Sequence, residues 1–392
     1  MIRAWQTPYT LLALMSVAMP LAFSVWHALL NNFSIEVAGF SGAQIGVLQS
    51  LREVPGFLAF TAIFVLLVIR EQSFALLSLA VLGLGVAITG LLPSVWGLYF
   101  TTVLMSVGFH YYETLKQSLA LQWLPKAQAP EMLGRLVGVG ALTSLCVYGG
   151  LWLAREWLGL SYVALYALAG GLCLLLVGIM ALAFPRFQGN TVQTKGLVLR
   201  RRYWLYYALT FLSGARRQIF IVFASFLLVE RFGYSVSNVA ALYLVNHALS
   251  WWLAAPIGRW IGRVGERRAL TIEYCGLIAI FLSYALVDHA ELVAVLFIAD
   301  HLFYAMAIAI KTYFQKIADP AEIASTAGVS FTINHIAAVI LPAVLGLLWL
   351  QAPAAVFVCG AALAGCSLLL SQLIPDRPAA GAEIRRSVPA PA

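Results

Sequence analysis

The feature that most constrains this chain is a series of long apolar stretches that recurs along almost its whole length. Hydrophobic residues make up 62% of the 392 residues and charged residues only 10%, and the mean hydropathy is +0.90. In lipid, backbone polar groups must be satisfied within the segment, so such stretches can only be membrane helices. A spanning helix uses about 20 apolar residues, so this content corresponds to about twelve spans. These values exclude a soluble enzyme, a nucleic-acid-binding module and a disordered chain.

Turn-forming residues between the apolar runs divide the chain into twelve predicted spans. Breaks such as Asn31-Asn32 and Asp319-Pro320 have the chemistry of turns. In chain order, we predict spans 1 to 12 at residues 10–31, 42–68, 73–92, 95–121, 135–154, 160–184, 203–229, 236–257, 268–287, 291–315, 326–349 and 353–374. The predicted fold class is therefore an all-α membrane protein with twelve transmembrane helices in two six-helix pseudo-repeat bundles.

The distribution of lysine and arginine predicts the orientation, because cytoplasmic loops carry an excess of these residues. With the N-terminus in the cytoplasm, the opposite side carries only Arg155 and Arg231. The predicted spans contain Arg52, Lys116, Arg216, Arg217 and Lys311, so the remaining 17 of the 24 basic residues are cytoplasmic. We expect a multi-pass protein of the cell membrane with both termini cytoplasmic. The formal net charge of +8 then faces anionic lipid and is not a nucleic-acid patch.

An internal repeat divides the chain into two halves. Residues 36–41 and residues 230–235 both carry Glu, then Gly, an aromatic residue and Ser at the same spacing. The longest cytoplasmic connection lies between the two halves. We predict an N-terminal bundle at 1–184, a linker at 185–202, a C-terminal bundle at 203–374 and a disordered cytoplasmic tail at 375–392.

This plan of six plus six spans, a long central loop and two cytoplasmic termini resembles the major facilitator superfamily. The segment 258–268 between spans 8 and 9 is similar to the loop signature of that family, but Gly262 stands at its acidic position. The equivalent loop at 70–72 lacks the motif. In the family, spans 3, 6, 9 and 12 lie outside and the others line a central cavity. The resemblance suggests a gating role for Gly258, Arg263, Gly265, Arg267 and Arg268. The alternative, that the basic residues of this loop only set the orientation of the chain in the membrane, remains equally open.

Ionisable residues inside the predicted spans are the strongest functional signal. A charge at a helix centre costs roughly 2.5–3.5 kcal/mol on insertion scales, so such groups must face protein or water. They fall on spans 2, 4, 7 and 10, whereas Glu273 of span 9 lies near the cytoplasmic end and is not counted among them. The mid-span charges are Arg52, Glu53, Glu113, Lys116, Arg216, Arg217, Asp300 and Lys311.

Helical spacing groups these charges with other polar and aromatic side chains. We predict that one of the adjacent Arg216 and Arg217 pairs with Asp300 or Glu53, and that the other binds an acidic solute, because guanidinium groups hold carboxylates and phosphates bidentately. The predicted solute-binding residues are Arg52, Arg216, Arg217, Tyr243, Asn246, His247, Tyr304, Lys311, Asn334 and His335.

Carboxyl and imidazole groups inside the spans suit proton transfer. The predicted proton-coupling residues are Glu53, Glu113, Asp300 and His110. Alternative interpretations remain open: Arg52–Glu53 and Glu113–Lys116 can be structural pairs, Lys116 and Lys311 can snorkel to the interface, and the histidines can be packing groups.

The predicted function is secondary active transport of a small, acidic or amphipathic solute by alternating access, coupled to protons. The alternatives are a lipid or drug exporter or flippase on the same fold, and a non-transporting membrane sensor. No phosphate-binding GxxxxGK[ST] loop, HExxH or GxSxG occurs, and the five cysteines lack CxxC spacing. We therefore expect no enzymatic activity, cofactor, bound metal or nucleic acid. The expected partners are the solute, protons and membrane lipids, and the expected state is a monomer.

Overall fold

A computed structural model of the protein describes residues 5–40, 42–187, 193–194, 196–234 and 236–385. Within these residues the chain forms twelve helical stretches. The only strand-like pairing among them is a single bridge between Ala379 and Ala382. The predicted all-helical fold class is confirmed, and the twelve stretches follow the predicted spans, with ends that differ by at most seven residues, at the end of span 8 (Val264 against 257).

The first six helical stretches keep the numbers of the predicted spans. Spans 1 to 6 consist of Pro8–Glu36; Gly42–Phe57 with Leu58–Thr61 and Ala62–Val65; Glu71–Thr89; Val95–Trp123; Ala129–Glu156; and Tyr162–Ala183. Three begin at residues whose hydroxyl groups accept a backbone N–H of the first turn, which is the usual role of such residues at a helix start. These residues are Thr7, Ser94 and Ser161.

The second six stretches follow the same scheme. Spans 7 to 12 consist of Arg201–Tyr203 with Trp204–Gln218, Ile219–Ala224 and Ser225–Glu230; Val236–Val264; Glu266–Leu286; Ala290–Tyr304 with Ala305–Ala307 and Ile308–Ile317; Ile323–Trp349, which the short 3₁₀ turn Pro320–Glu322 precedes; and Pro353–Ser371. Eight of the described helices are long and apolar enough, by length and composition, to cross a membrane.

Three spans contain irregular turns close to charged side chains. Span 2 tightens to a 3₁₀ turn at Leu58–Thr61, three residues after Pro55, which lacks a backbone N–H. Span 7 widens to π-helical turns at Ile219–Ala224, and span 10 has a 3₁₀ turn at Ala305–Ala307. Such irregular turns within helices often occur at functional sites.

The chain divides into two compact units. The first contains residues 1–124, 136–197 and 324–332, and the second contains residues 125–135, 198–323 and 333–392. We refer to them as the N-terminal unit and the C-terminal unit. The domain boundaries proposed from the sequence remain predictions.

Small residues set the helix packing in the N-terminal unit. A Cβ atom added at Gly108 of span 4 would lie 2.3 Å from the backbone nitrogen of Leu82 in span 3. A Cβ at Gly85 would lie 2.6 Å from the backbone nitrogen of Met105. Close backbone approach of this kind is typical of membrane helices, where packing replaces the hydrophobic effect as the driving force.

The C-terminal unit contains similar close approaches. A Cβ at Gly214 in span 7 would lie 2.4 Å from the carbonyl oxygen of Asn334 in span 11. A Cβ at Gly276 in span 9 would lie 2.3 Å from the ring of Phe303 in span 10. Spans 7 and 11 are therefore held at a short distance, as are spans 9 and 10, and spans 7, 9 and 10 carry the buried charges described below.

Candidate functional site

In the N-terminal unit, the predicted charges of span 2 form a half-buried pair. Both Nη2 and Nε of Arg52 donate to Oε1 of Glu53, at 2.6 and 3.1 Å. Oε2 of Glu53 lies 4.0 Å from Nε2 of His110 in span 4. The structure thus brings together a guanidinium, a carboxylate and an imidazole, three residues that the sequence placed on two different spans.

His110 is held in position by its own helix. Its side chain is buried, and its Nδ1 lies 3.0 Å from the hydroxyl oxygen of Ser106 and 2.9 Å from the Ser106 carbonyl oxygen. The Ser106 hydroxyl also donates to the carbonyl oxygen of Arg52. With a proton on Nδ1 donated to the Ser106 carbonyl, Nε2 is the nitrogen that faces Glu53, and it can accept or release a proton there.

A second ion pair lies further along span 4. Nζ of Lys116 is 3.4 Å from Oε1 of Glu113, and both side chains are half-buried. This i, i+3 pair neutralises itself within one helix. The pair fits the structural interpretation of these two residues, and a proton-coupling role for Glu113 stays a prediction.

In the C-terminal unit, Arg216 of span 7 is one of the largest fully buried side chains, with 1% of its surface exposed. Its Nη2 lies 3.6 Å from Oε1 of Glu273 in span 9, and its Nη1 donates to the hydroxyl of Ser367 in span 12. Its guanidinium carbon lies over the ring of Tyr274, 4.6 Å from the centroid. Such a cation–π contact stabilises a desolvated cation.

The partner of Arg216 corrects the prediction from the sequence. We expected Asp300 or Glu53 to pair with one of the two arginines, and the structure places Glu273 there instead. Glu273 lies only two turns from the start of its span, which suggested an interfacial position, but it is completely buried. Its position on a predicted outer span gave no signal that it would face Arg216.

Asp300 of span 10 is the second buried carboxyl group of this region. It is 3% exposed and interacts electrostatically with Arg216 and with Glu273. Among the residues that the structure describes, no cation lies within 4.0 Å of it, and its Oδ1 has no hydrogen-bond partner. This region therefore contains one buried cation, Arg216, and two buried carboxyl groups, Glu273 and Asp300.

Arg217, next in the chain, has the opposite environment. Its side chain is exposed, and no acidic side chain of the described residues forms an ion pair with it. Arg216 is thus paired, with a different partner than predicted, and the predicted role of the other arginine in binding a solute stays a prediction.

The other predicted solute-binding residues have varied environments. Asn246 is 1% exposed, and its amide atoms find no hydrogen-bond partner among the described residues. The hydroxyl of Tyr243 lies 3.1 Å from that of Ser225, and Nδ2 of Asn334 donates to the Thr210 carbonyl at 3.2 Å. His247, Tyr304 and His335 are half-buried, whereas Lys311 is exposed.

The loop motif after span 8 combines a close backbone contact, an ion pair and two exposed arginines. A Cβ at Gly258 would lie 2.1 Å from the Pro130 carbonyl oxygen, and Gly265 has φ +84°, which favours glycine. Arg267 forms an ion pair with Asp376. Arg263 and Arg268 are exposed, as the topogenic interpretation expects.

An ionic cluster in the turn before span 11 joins it to the segment at the start of span 7. Glu322 accepts from Arg200 at 2.7 Å, from Arg202 at 3.0 Å and from the Tyr203 hydroxyl at 2.9 Å. Burial alone would raise the pKa of the Glu322 carboxyl, but these hydrogen bonds outweigh it and hold the pKa below its usual value near 4.5.

These observations define a polytopic α-helical membrane protein in which ionisable side chains are buried within the helical units. The chain belongs to the Major Facilitator Superfamily, whose family model matches residues 7–342. The resemblance seen in the sequence is confirmed, and membership makes the protein a multi-pass membrane transporter rather than an enzyme. A search of curated protein sequences finds no match.

Solved structures of the same fold share little sequence with this chain. The Escherichia coli fucose:proton symporter FucP is 13% identical with a TM-score of 0.74, over 94% of this chain and 99% of that one. The human organic anion transporter MFSD10 is 15% identical with a TM-score of 0.71, over 93% and 98%. A bacterial homologue of the iron transporter ferroportin, in an outward-facing state, is 13% identical with a TM-score of 0.75, over 93% and 98%.

Proposed function

We propose that the protein is a secondary active transporter that moves a small, acidic or amphipathic solute by alternating access and couples this movement to protons. It acts in the cell membrane with both termini in the cytoplasm, as a monomer in contact with membrane lipids. The observation that carries the proposal is the placement of ionisable groups inside the spans, some in compensated pairs and one, Arg217, exposed without an acidic partner in the described part of the chain.

Arg217 is the proposed anchor for the solute. A charged side chain within a span is stable only where it meets water or a polar partner, so its exposed guanidinium implies contact with water. In such a place it attracts anions and can hold a carboxylate or phosphate with two parallel hydrogen bonds. MFSD10, which shares this fold, is an organic anion transporter, and a cargo of that kind fits this assignment.

Glu53 and His110 form the proposed proton-coupling site of the N-terminal unit. When Glu53 is ionised, Arg52 compensates its charge at 2.6 Å. Uptake of a proton by Glu53 would release Arg52 from that ion pair. Nε2 of His110, 4.0 Å away, can pass the proton on after a small movement. The ionised Glu53 carboxylate and an anionic solute would then compete for the Arg52 guanidinium, so proton uptake by Glu53 would favour solute binding there. FucP, a proton symporter of the same fold, supports coupling as the starting hypothesis.

The first experiment identifies the solute chemistry. Purified protein is screened by thermal unfolding against panels of carboxylates, phosphates, metal chelates and amphipathic drugs, since a ligand that binds the folded state raises its stability. We expect stabilisation by an anionic compound, and loss of that stabilisation in Arg217→Gln. The matched control is Arg231→Gln. Arg231 follows the end of span 7, is exposed, and forms an ion pair with Asp288.

The second experiment measures coupling. Proteoliposomes that enclose a pH-sensitive dye receive the solute found in the screen, and proton movement is recorded together with solute uptake. We expect Glu53→Gln to abolish proton movement while solute exchange at equal concentrations continues. If wild-type protein carries the solute without any proton movement, coupling is refuted and transport stands. If no compound stabilises the protein or crosses the membrane, the transporting function itself is refuted.

A further inference from the structure

Three ionisable side chains of the C-terminal unit form a buried cluster that the proposed coupling through Glu53 and His110 does not use. Arg216 is 1% exposed, Glu273 is 0% exposed and Asp300 is 3% exposed. They come from spans 7, 9 and 10. We name them the Arg216 cluster. It contains one cation and two carboxyl groups, so the two acids cannot both be compensated by the arginine.

The helices that carry the cluster are in close contact next to it. A Cβ at Gly276, one turn after Glu273, would lie 2.3 Å from the ring of Phe303, which is one turn after Asp300. On the other side, the ring of Tyr274 covers the guanidinium, and Ser367 accepts from it. Protein groups thus contact the guanidinium on two sides, and spans 9 and 10 are in close contact one turn beyond the two carboxyl groups.

Hydrogen bonding in the cluster is incomplete among the residues that the structure describes. Nε and Nη2 of Arg216 have no hydrogen-bond partner among these residues. The two carboxyl oxygens of Glu273 have none there either. The shortest approach between them, 3.6 Å, is longer than a hydrogen bond. Oδ1 of Asp300 has no partner there either. Buried polar atoms without partners are costly, and a proton on one carboxyl group would turn an acceptor into a donor.

The other titratable groups on the packed elements cannot supply a second positive charge at low cost. Tyrosines are neutral at physiological pH, and buried imidazoles favour the neutral form. Tyr274 interacts electrostatically with Arg216 and Glu273, and Tyr284 interacts with Asp300. The titratable groups that interact with these residues or with Arg217 are Tyr243, Tyr304, His301 and, through His301, His247. Arg217, the next residue, is exposed and forms no ion pair with an acidic side chain of the described residues.

We propose that the Arg216 cluster holds one exchangeable proton, on Asp300 in the conformation described here, and that Glu273 and Asp300 are a proton-binding site of the C-terminal unit. The cluster is then electrically neutral: Arg216 carries +1, Glu273 carries −1 and Asp300 is a neutral acid. Release of the proton to water leaves both carboxylates and a net charge of −1. The role in coupling rests on the proposed function, but occupancy by the proton does not.

Infrared spectroscopy of the protein in lipid films tests the occupancy without any solute. Purified protein is reconstituted in phosphatidylcholine and phosphatidylglycerol, and the C=O stretch of protonated carboxyl groups is recorded over a pH series from mildly acidic to alkaline. At neutral pH, the wild-type spectrum should contain the intensity of one carboxyl group more than either Asp300→Asn or Glu273→Gln. In the first variant the protonated group is gone. In the second, Arg216 compensates Asp300, which ionises.

The control is Glu291→Gln, which changes an exposed carboxyl group at the start of span 10 and should leave the neutral-pH band unchanged. If either Asp300→Asn or Glu273→Gln retains the full band, the cluster does not hold a shared proton. Should Glu273→Gln fail to fold, Glu273→Asp keeps the charge count and must keep the band, and its absence would overturn the proposal. If the infrared result is as expected but Asp300→Asn keeps full solute-coupled proton movement in proteoliposomes, the coupling role alone is refuted.

Discussion

Span 6 carries two adjacent glycines that allow a matched test of how the N-terminal unit is held together. A Cβ added at Gly170 would lie 2.3 Å from the Gly83 carbonyl oxygen and 2.4 Å from the Ala87 nitrogen of span 3. These are backbone atoms, which cannot move aside as a flexible side chain does. A Cβ added at the next residue, Gly171, meets no heavy atom of the described chain within 4 Å.

The two alanine substitutions share one energy term and differ in another. Replacing glycine by alanine in a helix gains about 1 kcal/mol of helix propensity in water, and this gain is common to both sites. Overpacking of a filled contact costs roughly 1–3 kcal/mol, occasionally more, and backbone contacts this short place Gly170→Ala at the upper end. The gain in helix propensity is the same in both variants and drops out of the comparison. We therefore expect the free energy of unfolding of Gly170→Ala to be lower than that of Gly171→Ala by about 3 kcal/mol.

The assay is thermal unfolding of the two purified variants in the same detergent, followed by tryptophan fluorescence. A shift of about 2–4 °C per kcal/mol, as found for domains of 150–250 residues, makes this difference roughly 6–12 °C. Gly171→Ala should unfold at or above the wild-type temperature. Equal unfolding temperatures for the two variants would show that spans 3 and 6 do not approach as closely as described, and the packing argument for small residues would be wrong.

Two further predictions concern the C-terminal unit. Gly258→Ala should disrupt the packing of span 8 on the start of span 5, because its Cβ would lie 2.1 Å from the Pro130 carbonyl oxygen, whereas the Cβ of Gly262→Ala would have only a 3.9 Å contact. Thermal unfolding should therefore occur at a lower temperature in Gly258→Ala than in Gly262→Ala, and equal unfolding temperatures would contradict this. Because the pKa of Glu322 is lowered in the folded state from its usual value of 4.5, its carboxylate stabilises the protein above pH 4.5 and less at lower pH. The difference in unfolding temperature between wild type and Glu322→Gln should therefore be full at neutral pH and shrink as the pH falls through and below that value; a constant difference would refute the ionic role.

Much of the fold follows from the sequence, because the bilayer leaves a chain of this composition few options. Helix is the only state that satisfies the backbone of an apolar stretch in lipid, and turn residues limit each stretch. The irregular turns in spans 2, 7 and 10 were not predicted. Of these, only the turn after Pro55 has a local cause in the sequence; the π-helical segment Ile219–Ala224 contains neither proline nor glycine, so its sequence gives no local signal.

The candidate site was predictable in its residue types but not in its pairing. A mid-span charge must be compensated, which singled out Arg52, Arg216 and Asp300. Depth within a span was a poor guide for Glu273, because an acid near the helix end can still be buried by neighbouring helices. A search for acids one or two turns from a span end, opposite an arginine at similar depth, could have found it. The pairing of Glu53 with Arg52, by contrast, was already suggested by their adjacency.

The pairing of Glu273 changes the charge balance from which an acidic solute was inferred. The predicted spans hold five basic and three acidic mid-span groups, a formal excess of two. With Glu273 counted among the acids, the excess falls to one, and three of the basic groups lie in ion pairs. A general excess of positive charge is therefore a weaker reason for anion selectivity than the sequence suggested. In the proposed function, the preference for an acidic solute rests on Arg217. Replacing that one side chain should then change which solute binds, whereas replacing Arg216 should change stability and proton occupancy.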